Sequence, residues 1–173
     1  MTIRRIVLLG EKVLRTQTAE IEKFGEEIEA LVQDLFDTMY SAGGIGIAAP
    51  QIGISLRVCV LDLSRADDSE SQRLTLVNPV ILESSKTKEK ATEGCLSIPG
   101  MEEIVKRPAH IVVKAEDDLG RAIELEADGL LSRVIQHEID HLDGILFFDR
   151  VTPLKRKLLL KKWKKAREEE SLQ

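Results

Sequence analysis

The stretch QHEIDHLDG at residues 136–144 decides how the rest of the chain is interpreted. His137 and His141 stand four residues apart, which on an α-helix is a rotation of about 400°, so both imidazoles project from one face on adjacent turns. This spacing predicts two nitrogen ligands for one divalent metal ion, with Glu138 near enough to reach a water on that ion without being a ligand. The alternative interpretation is a helix with two ordinary histidines and a surface glutamate.

A metal site of this kind needs a third protein ligand, which could be a Cys, His, Asp or Glu elsewhere in the chain, and the two cysteines and the third histidine are compared first. Cys59 lies inside the apolar run LRVCVL, which favours a buried structural thiol, and His110 lies at the start of an expected strand, which favours a structural histidine. Cys95 lies in EGCLS, directly before Ile-Pro-Gly, in a turn-like and approachable setting. A thiolate with two imidazoles would suit ferrous iron, zinc, nickel or cobalt better than magnesium or calcium.

Length and composition bound the class of protein. The 173 residues predict a single domain spanning residues 1–173, with 43% hydrophobic and 32% charged residues, as in a folded chain. No apolar run approaches the roughly 20 residues of a membrane-spanning helix, and no cleavage site follows the short apolar stretch at the start. We therefore expect a cytoplasmic protein with no membrane association, and the two cysteines predict no disulfide framework.

The net charge of −5 is unevenly distributed. Residues 155–173 hold eight Lys and Arg against three Glu, whereas residues 1–154 hold 17 basic against 27 acidic side chains. A compact acidic body does not favour a DNA-binding protein, although the basic tail could contact nucleic acid.

Periodicity predicts three helices. Apolar residues at helical spacing favour an amphipathic helix over residues 25–42, ended by a pair of glycines. A second helix is expected over residues 129–143 with Asp128 as its cap, and a third over residues 154–170, opened by Thr152 and Pro153.

Extended segments account for most of the remainder. Strands are expected at residues 56–63, 74–83, on both sides of a hairpin turn at 117–120, and at 145–151, with polar loops at 64–73 and 84–92. Pro79 marks an edge strand or a bulge. Runs of strands with helices at both ends and one between indicate an α+β fold, with antiparallel or mixed sheets packed around the central HExxH helix.

The glycine-rich segment at residues 43–53 admits two interpretations. A phosphate-binding loop is disfavoured, because the segment lacks the Gly-Lys-Ser/Thr ending and no helix signal follows it. Its glycines are more typical of close backbone approach to a peptide.

Three segments taken together resemble peptide deformylase: GIGIAAPQ (44–51), EGCLS (93–97) and QHEIDH (136–141). The resemblance covers almost the whole chain, including the helix before the first segment and the basic C-terminal helix at 155–173. It implies an enzyme that removes the formyl group from the N-terminal formyl-methionine of newly made polypeptides and releases formate. One departure is the stretch Met101-Glu102-Glu103, where some relatives carry an arginine that touches the peptide.

The resemblance also implies residue roles. Cys95, His137 and His141 would hold one divalent ion, ferrous iron in the cell with zinc, nickel or cobalt able to substitute, and Glu138 would act as general base and then acid toward a metal-activated water. Three groups of positions carry the other expected roles: Gln51 and the Leu96 N–H as oxyanion donors, Ile45, Gly46 and Gly94 as main-chain contacts to an extended peptide, and Glu93 paired with Arg107 behind the Cys95 loop. The expected partner is the formyl-methionyl nascent peptide.

Helix spacing adds a side-chain pocket. Leu130, Arg133 and Val134 precede His137 by seven, four and three residues and therefore share its face. We expect Leu130 and Val134 to line a pocket for methionine, with Arg133 at its mouth; plain core packing of the two apolar residues is the alternative. The C-terminal helix is expected either to contact the ribosome or only to pack on the body.

Two other functions stay open at this stage. An HExxH endopeptidase would need a long cleft, for which 173 residues leave little room. A ribosome-binding or metal-storage module without activity is disfavoured, because Gln51, Cys95 and Glu138 are all in place.

Overall fold

The computed structural model describes residues 2–67 and 72–172, which form α-helices and β-strands in an α+β arrangement. The helices are α1 (Glu26–Ser41), α2 (Ser64–Asp67), α3 (Gly129–Leu142) and α4 (Pro153–Ser171). The strands are β1 (Gly46–Ala48), β2 (Val58–Leu61), β3 (Leu74–Ser84), β4 (Lys88–Gly94), β5 (Glu102–Pro108), β6 (His110–Glu116) and β7 (Ala122–Asp128). Short 3-10 helices lie at Lys12–Arg15, Ala49–Ile52 and Phe147–Arg150.

The main sheet separates α1 from α3. Its order is β1-β2-β3-β6-β7 with antiparallel neighbours, and β2 is buried on both faces. Val58 and Val60 pack with α1, whereas Cys59 and Leu61 pack with α3 on the other face. Successive side chains of a strand point to opposite faces, so an uninterrupted apolar run becomes a strand covered on both sides. The expected α+β fold with a central HExxH helix is confirmed.

A bulge interrupts β3 in the middle of the sheet. The pairing with β6 shifts register between Val77 and Val80, and Asn78 has a positive φ of 50°. The Asn78 side-chain amide holds this shape by donating to Ile21 O at 2.8 Å and to Glu116 Oε2 at 2.9 Å. Of the two interpretations of Pro79, the bulge is therefore correct, because β3 is not an edge strand.

The expected polar loop at residues 84–92 is wrong for its second half. Residues 88–94 form β4, which pairs with β5 in a separate two-stranded sheet. Glu93 is the one buried side chain of this strand, so the hydrophobic alternation that identifies a half-buried strand is missing from the sequence. The role of β4 is to place Glu93 and the adjoining Cys95 next to α3.

The expected strand at residues 145–151 is also wrong. Residues 147–150 form a 3-10 helix in which Asp149 accepts a hydrogen bond from the Leu146 N–H at 2.9 Å. Phe147 and Phe148 are buried in a core shared with Leu159 and Trp163 of α4. Tight packing against a helix, rather than pairing with a strand, buries this apolar run.

Smaller differences concern caps and loops. Asp128 precedes α3, but its carboxylate lies 2.8 Å from His110 Nδ1 and makes no capping hydrogen bond. Thr152 does cap α4, accepting from the Lys155 N–H at 3.4 Å. The expected loop at 64–73 begins with the one-turn helix α2, and residues 68–71 of it lie outside the described residues. No helix within residues 2–67 and 72–172 is both long and apolar enough to cross a lipid bilayer.

Candidate metal centre and active site

Helix α3 presents its metal-binding motif into the middle of the molecule. Ile135, Ile139 and Leu142 bury one face of the helix against the main sheet. His137 and His141 lie on a neighbouring face, with their ring centroids 5.0 Å apart. The i, i+4 spacing therefore places both imidazoles side by side, as the motif predicts.

Three ligand atoms meet beside this face. The sulfur of Cys95 and one nitrogen each of His137 and His141 all lie within 4.8 Å of one another. Cys95 Sγ is 3.3 Å from His141 Nε2. Cys59 is fully buried in β2, and His110 pairs with Asp128, so neither of the other two possible third ligands belongs to this cluster.

A buried network of charges holds the cluster from behind. Arg107 donates two parallel hydrogen bonds to Glu93, at 2.6 and 2.9 Å, and a third to Asp140 at 2.8 Å. Glu93 Oε2 in turn lies 3.1 Å from His137 Nδ1, where the imidazole N–H donates to it, which leaves Nε2 of His137 for the ligand cluster. Arg150 pairs with the other oxygen of Asp140 at 2.6 Å.

The charges of this network shift the pKa values of its members. Burial would raise the pKa of Glu93, but hydrogen bonds from His137 and Arg107 hold it at about 2, so the carboxylate is ionised. Burial, with the positive charge of His137, lowers the pKa of His141 well below its usual range and favours the neutral imidazole that binds metals. For His137, burial is outweighed by Cys95 and Glu93, which raise its pKa to about 10. The two imidazoles of the cluster therefore differ in their affinity for a proton, high for His137 and low for His141.

Arg133 is a predicted site residue that lies elsewhere in the structure than expected. Instead of standing at the mouth of a pocket, it is buried, and its guanidinium donates to Glu93 Oε1 at 2.7 Å and to the backbone carbonyls of Val105 and Glu89 at 2.9 and 2.8 Å. Burial removes the Glu93 carboxylate from water, and a second arginine hydrogen-bonded to it offsets part of that cost. Arg133 thus steadies Glu93 and contributes only part of its side chain to the cavity wall.

Glu138 lies at the inner end of the cavity with only 4% of its surface exposed. Burial raises the pKa of Glu138 to about 7. A Cβ atom on Gly46 would lie 2.6 Å from Glu138 Oε1, so the carboxylate occupies space that only a glycine leaves free. Its other oxygen, Oε2, is buried without a hydrogen-bond partner in the described part of the chain.

Gln51 and Leu96 both lie next to Cys95, Gln51 by side-chain contact and Leu96 as the following residue. Gln51 Oε1 accepts from the Ala48 N–H at 2.9 Å, which turns the amide NH₂ toward Cys95 Sγ at 3.5 Å and Ser97 Oγ at 3.3 Å. The Leu96 N–H makes no hydrogen bond to any residue in 2–67 or 72–172. Two uncharged donors therefore flank the cluster.

A cavity of about 900 Å³ opens from this centre to the surface. Its wall includes Ile45, Gly46, Gly94, Leu130 and Val134. Val134 is buried, whereas Leu130 is 43% exposed and stands at the outer part. The structure thus brings these five predicted residues to one surface, large enough for several residues of an extended peptide.

Several neighbours of the site escaped the sequence interpretation. Asp140 lies inside the HExxH motif itself. An acidic residue next to the buried face of the helix was the feature of the sequence that could have identified it. Ser97 and Glu102 lie in or beside the EGCLS segment, whereas Arg150 and Lys162 have no local signal, because their places depend on contacts between distant segments.

The residues present fit a bound divalent metal. One thiolate and two imidazoles form the donor set that iron, zinc, nickel and cobalt accept, and the neutral His141 needs no proton removed before binding. Glu138 Oε2, which has no hydrogen-bond partner among residues 2–67 and 72–172, is buried in the same cavity, where a polar ligand would satisfy it.

An α+β fold with this cluster on an HExxH helix places the chain among the metalloenzymes of that motif. Comparison with known proteins identifies the family within this class of metalloenzymes. The family described as polypeptide deformylase matches residues 3–157, and the chain belongs to that family of enzymes.

Individual relatives agree along nearly the full length. The peptide deformylase of Brucella suis is 41% identical, with 95% of this chain and 94% of that protein covered. The crystal structure of a peptide deformylase from Legionella pneumophila superimposes with a TM-score of 0.90 at 40% identity, over 99% of each chain. A peptide deformylase from Synechococcus elongatus in complex with actinonin gives a TM-score of 0.85 at 43% identity, over 91% of this chain and 85% of that one.

Proposed function

We propose that this enzyme hydrolyses the formyl amide of N-terminal formyl-methionine on newly made polypeptides and releases formate. The observation that carries the proposal is the convergence of Cys95, His137 and His141 beside the buried carboxylate of Glu138, at the inner end of a cavity of about 900 Å³. Family membership supports the same reaction. We further propose that the enzyme works in the cytoplasm, where such chains are made.

Cys95, His137 and His141 would hold one divalent metal ion, and we propose ferrous iron in the cell. When bound, the ion supplies a Lewis acid that lowers the pKa of water and polarises the formyl carbonyl. Glu93 keeps His137 oriented with its Nε2 toward the cluster, and Arg107 keeps Glu93 ionised.

Glu138 is suited to move the proton. With its pKa raised to about 7 by burial, the carboxylate can accept a proton from the attacking water near neutral pH and return it to the departing amine of methionine. Formate then leaves as the second product. Since Glu138 is not one of the three converging ligands, proton transfer and metal binding rest on different side chains.

Gln51 and Leu96 would stabilise the negative charge that develops on the formyl oxygen. The Gln51 amide is held by the Ala48 N–H, so its NH₂ faces the reaction centre before substrate arrives. Donors already in place need no reorganisation during the reaction, and one such donor is typically worth about 2.7–4 kcal/mol.

The cavity wall would hold the peptide as an added strand. Main-chain groups of Ile45, Gly46 and Gly94 border the cavity and are suited to hydrogen-bond an extended backbone. Leu130 and Val134 provide an apolar surface for the methionine side chain.

A contact between the C-terminal helix and the ribosome remains a prediction. Leu159 and Trp163 of α4 pack on the body, with Ala166 against them, while the lysines of α4 that follow Lys155 are exposed. The packing expected of this helix is therefore present, and the exposed basic face is what supports the proposed contact.

The test is formate release from formyl-Met-Ala-Ser by enzyme purified without oxygen and loaded with ferrous iron or nickel. Hydrolysis is expected for the formylated peptide and not for acetyl-Met-Ala-Ser, whose extra methyl crowds the reaction centre. Glu138→Gln should bind metal but lose most turnover. Absence of formate from both metal forms would refute the proposal, and cleavage of unformylated casein would indicate an endopeptidase instead.

A further inference from the structure

A segment before the first α-helix contacts both parts of the chain that carry the proposed oxyanion donors. Residues 4–9, called here the N-terminal strap, belong to no helix or strand. The Val7 N–H donates to the backbone carbonyl of Gln51 at 2.8 Å, and the Leu9 N–H donates to the carbonyl of Ser97 at 2.9 Å. The strap therefore bridges two segments that are distant in the sequence but meet at the reaction centre.

Each accepting carbonyl belongs to a short, tightly bonded piece of chain. Gln51 lies in a one-turn 3-10 helix. Ser97 lies in a turn closed by the Ile98 N–H, which donates to Cys95 O at 3.0 Å, and Leu96 is the other central residue of that turn. Only two backbone dihedral angles per residue are free to rotate, so a carbonyl fixed in such a turn also fixes the peptide groups next to it. The strap is thereby coupled to the Gln51 amide and the Leu96 N–H.

The strap itself is held firmly on the body. At its start the Arg4 N–H donates to Thr38 Oγ1 at 2.9 Å, and the Arg4 guanidinium pairs with Asp34 at 2.7 Å. The Val7 side chain is buried. Two residues of chain span at most about 7 Å, so the N–H groups of Val7 and Leu9 limit how far the two carbonyls that they contact can move apart.

The residue between the two donors differs from both. The Leu8 N–H makes no hydrogen bond with any residue in 2–67 or 72–172. Alternate N–H groups of the strap thus face the site, as they do along one edge of an extended chain. One short segment therefore offers two bonded donors and an unbonded one for comparison.

We propose that Val7 and Leu9 are positioning residues for the hydrolysis, whose backbone N–H groups hold the Gln51 amide and the Leu96 N–H at the separation that the formyl oxyanion requires. Neither Val7 nor Leu9 lines the cavity, so both act through the donors. The oxyanion exists only after attack on the formyl carbon, so their effect falls on kcat rather than on KM. This inference rests on the proposed function, because it concerns the same reaction.

The first experiment removes single N–H groups and keeps every side chain. Translation with the corresponding α-hydroxy acid places an ester bond where the peptide N–H of Val7, of Leu9 or, as the matched control, of Leu8 stands. Removal of one oxyanion donor costs on the order of 10²–10³-fold in kcat, and displacement of a donor costs less, so the Val7 and Leu9 esters should each lose about tenfold, with KM within about twofold of wild type. The Leu8 ester should keep the wild-type kcat.

The assay is formate release from formyl-Met-Ala-Ser by the nickel-loaded enzyme, well below the melting temperature of each ester. The Leu9 ester also weakens the Leu8 carbonyl, which accepts from the Glu11 N–H at 3.1 Å. An ester at Glu11 removes that hydrogen bond alone and should leave kcat unchanged.

The second experiment separates positioning from general support of the fold. In a Gln51→Ala variant the amide is absent, so the Val7 ester should lower kcat by less than about twofold further, whereas a purely structural role would cost the same factor in both backgrounds. A wild-type kcat in the Val7 or Leu9 ester, an equal loss in the Leu8 ester, or the full loss in the Gln51→Ala background would overturn the inference. Absence of formate release from the wild-type enzyme would instead refute the proposed function.

Discussion

Replacing Gly46 by alanine tests whether the position of the Glu138 carboxylate sets the rate. The added Cβ would lie 2.6 Å from Glu138 Oε1 and 3.0 Å from Val134 Cγ1, whereas ordinary contacts begin at 3.4 Å. The carboxylate must therefore retreat by about 0.8 Å, and misplacement of a reacting group by about 1 Å costs on the order of 10²-fold in rate. We expect kcat to fall about 10²-fold with the metal content unchanged, because no metal ligand is touched.

The assay is formate release at saturating substrate, together with metal analysis of each preparation. Overpacking costs about 1–3 kcal/mol of stability, so rates are measured well below the melting temperature of the variant. Glu138→Gln provides the matched background, because Gly46→Ala should cause little further loss in a variant whose carboxylate is already gone. A kcat within threefold of wild type in the single variant, or a full 10²-fold loss in the Glu138→Gln background, would show that the position of the Glu138 carboxylate does not set the rate.

Three further predictions concern metal binding and stability. Cys95→Ala should abolish metal binding, whereas Cys59→Ala should retain the metal and only lower the melting temperature; equal metal loss in both would contradict the choice of ligand. Arg107→Met removes the guanidinium that pairs with both Glu93 and Asp140, leaves Arg133 as the remaining arginine on Glu93, and should destabilise the fold by about 3 kcal/mol in urea unfolding, so a cost under about 1 kcal/mol would contradict the network. Burial would raise the pKa of Asp149, but a hydrogen bond from Arg15 lowers it. The ionised carboxylate therefore stabilises the fold above its unfolded pKa of about 3.9, and this stabilisation is lost as the pH falls through the lowered folded-state pKa. Asp149→Asn should therefore lose less stability than wild type on acidification below about pH 4, and parallel curves would contradict this.

The sequence determined the elements whose signals are local. The i, i+4 spacing of His137 and His141, the apolar face of α1 and the Thr152–Pro153 start of α4 depend on residues within one or two turns, and the structure has each of them. The same kind of local pattern gave a wrong prediction at residues 145–151, where an apolar run packs against α4 instead of pairing with a strand.

Which distant groups meet depends on how the whole chain folds. Cys95 lies 46 residues before His141, and its approach depends on the pairing of two largely polar strands that carry no hydrophobic alternation. The helix spacing places Arg133 at the mouth of a pocket, yet in the structure it is buried and donates to Glu93, whose buried carboxylate needs compensating charge. Local periodicity records how a segment folds, whereas the partner of a buried charge is set by desolvation among residues that the sequence leaves far apart.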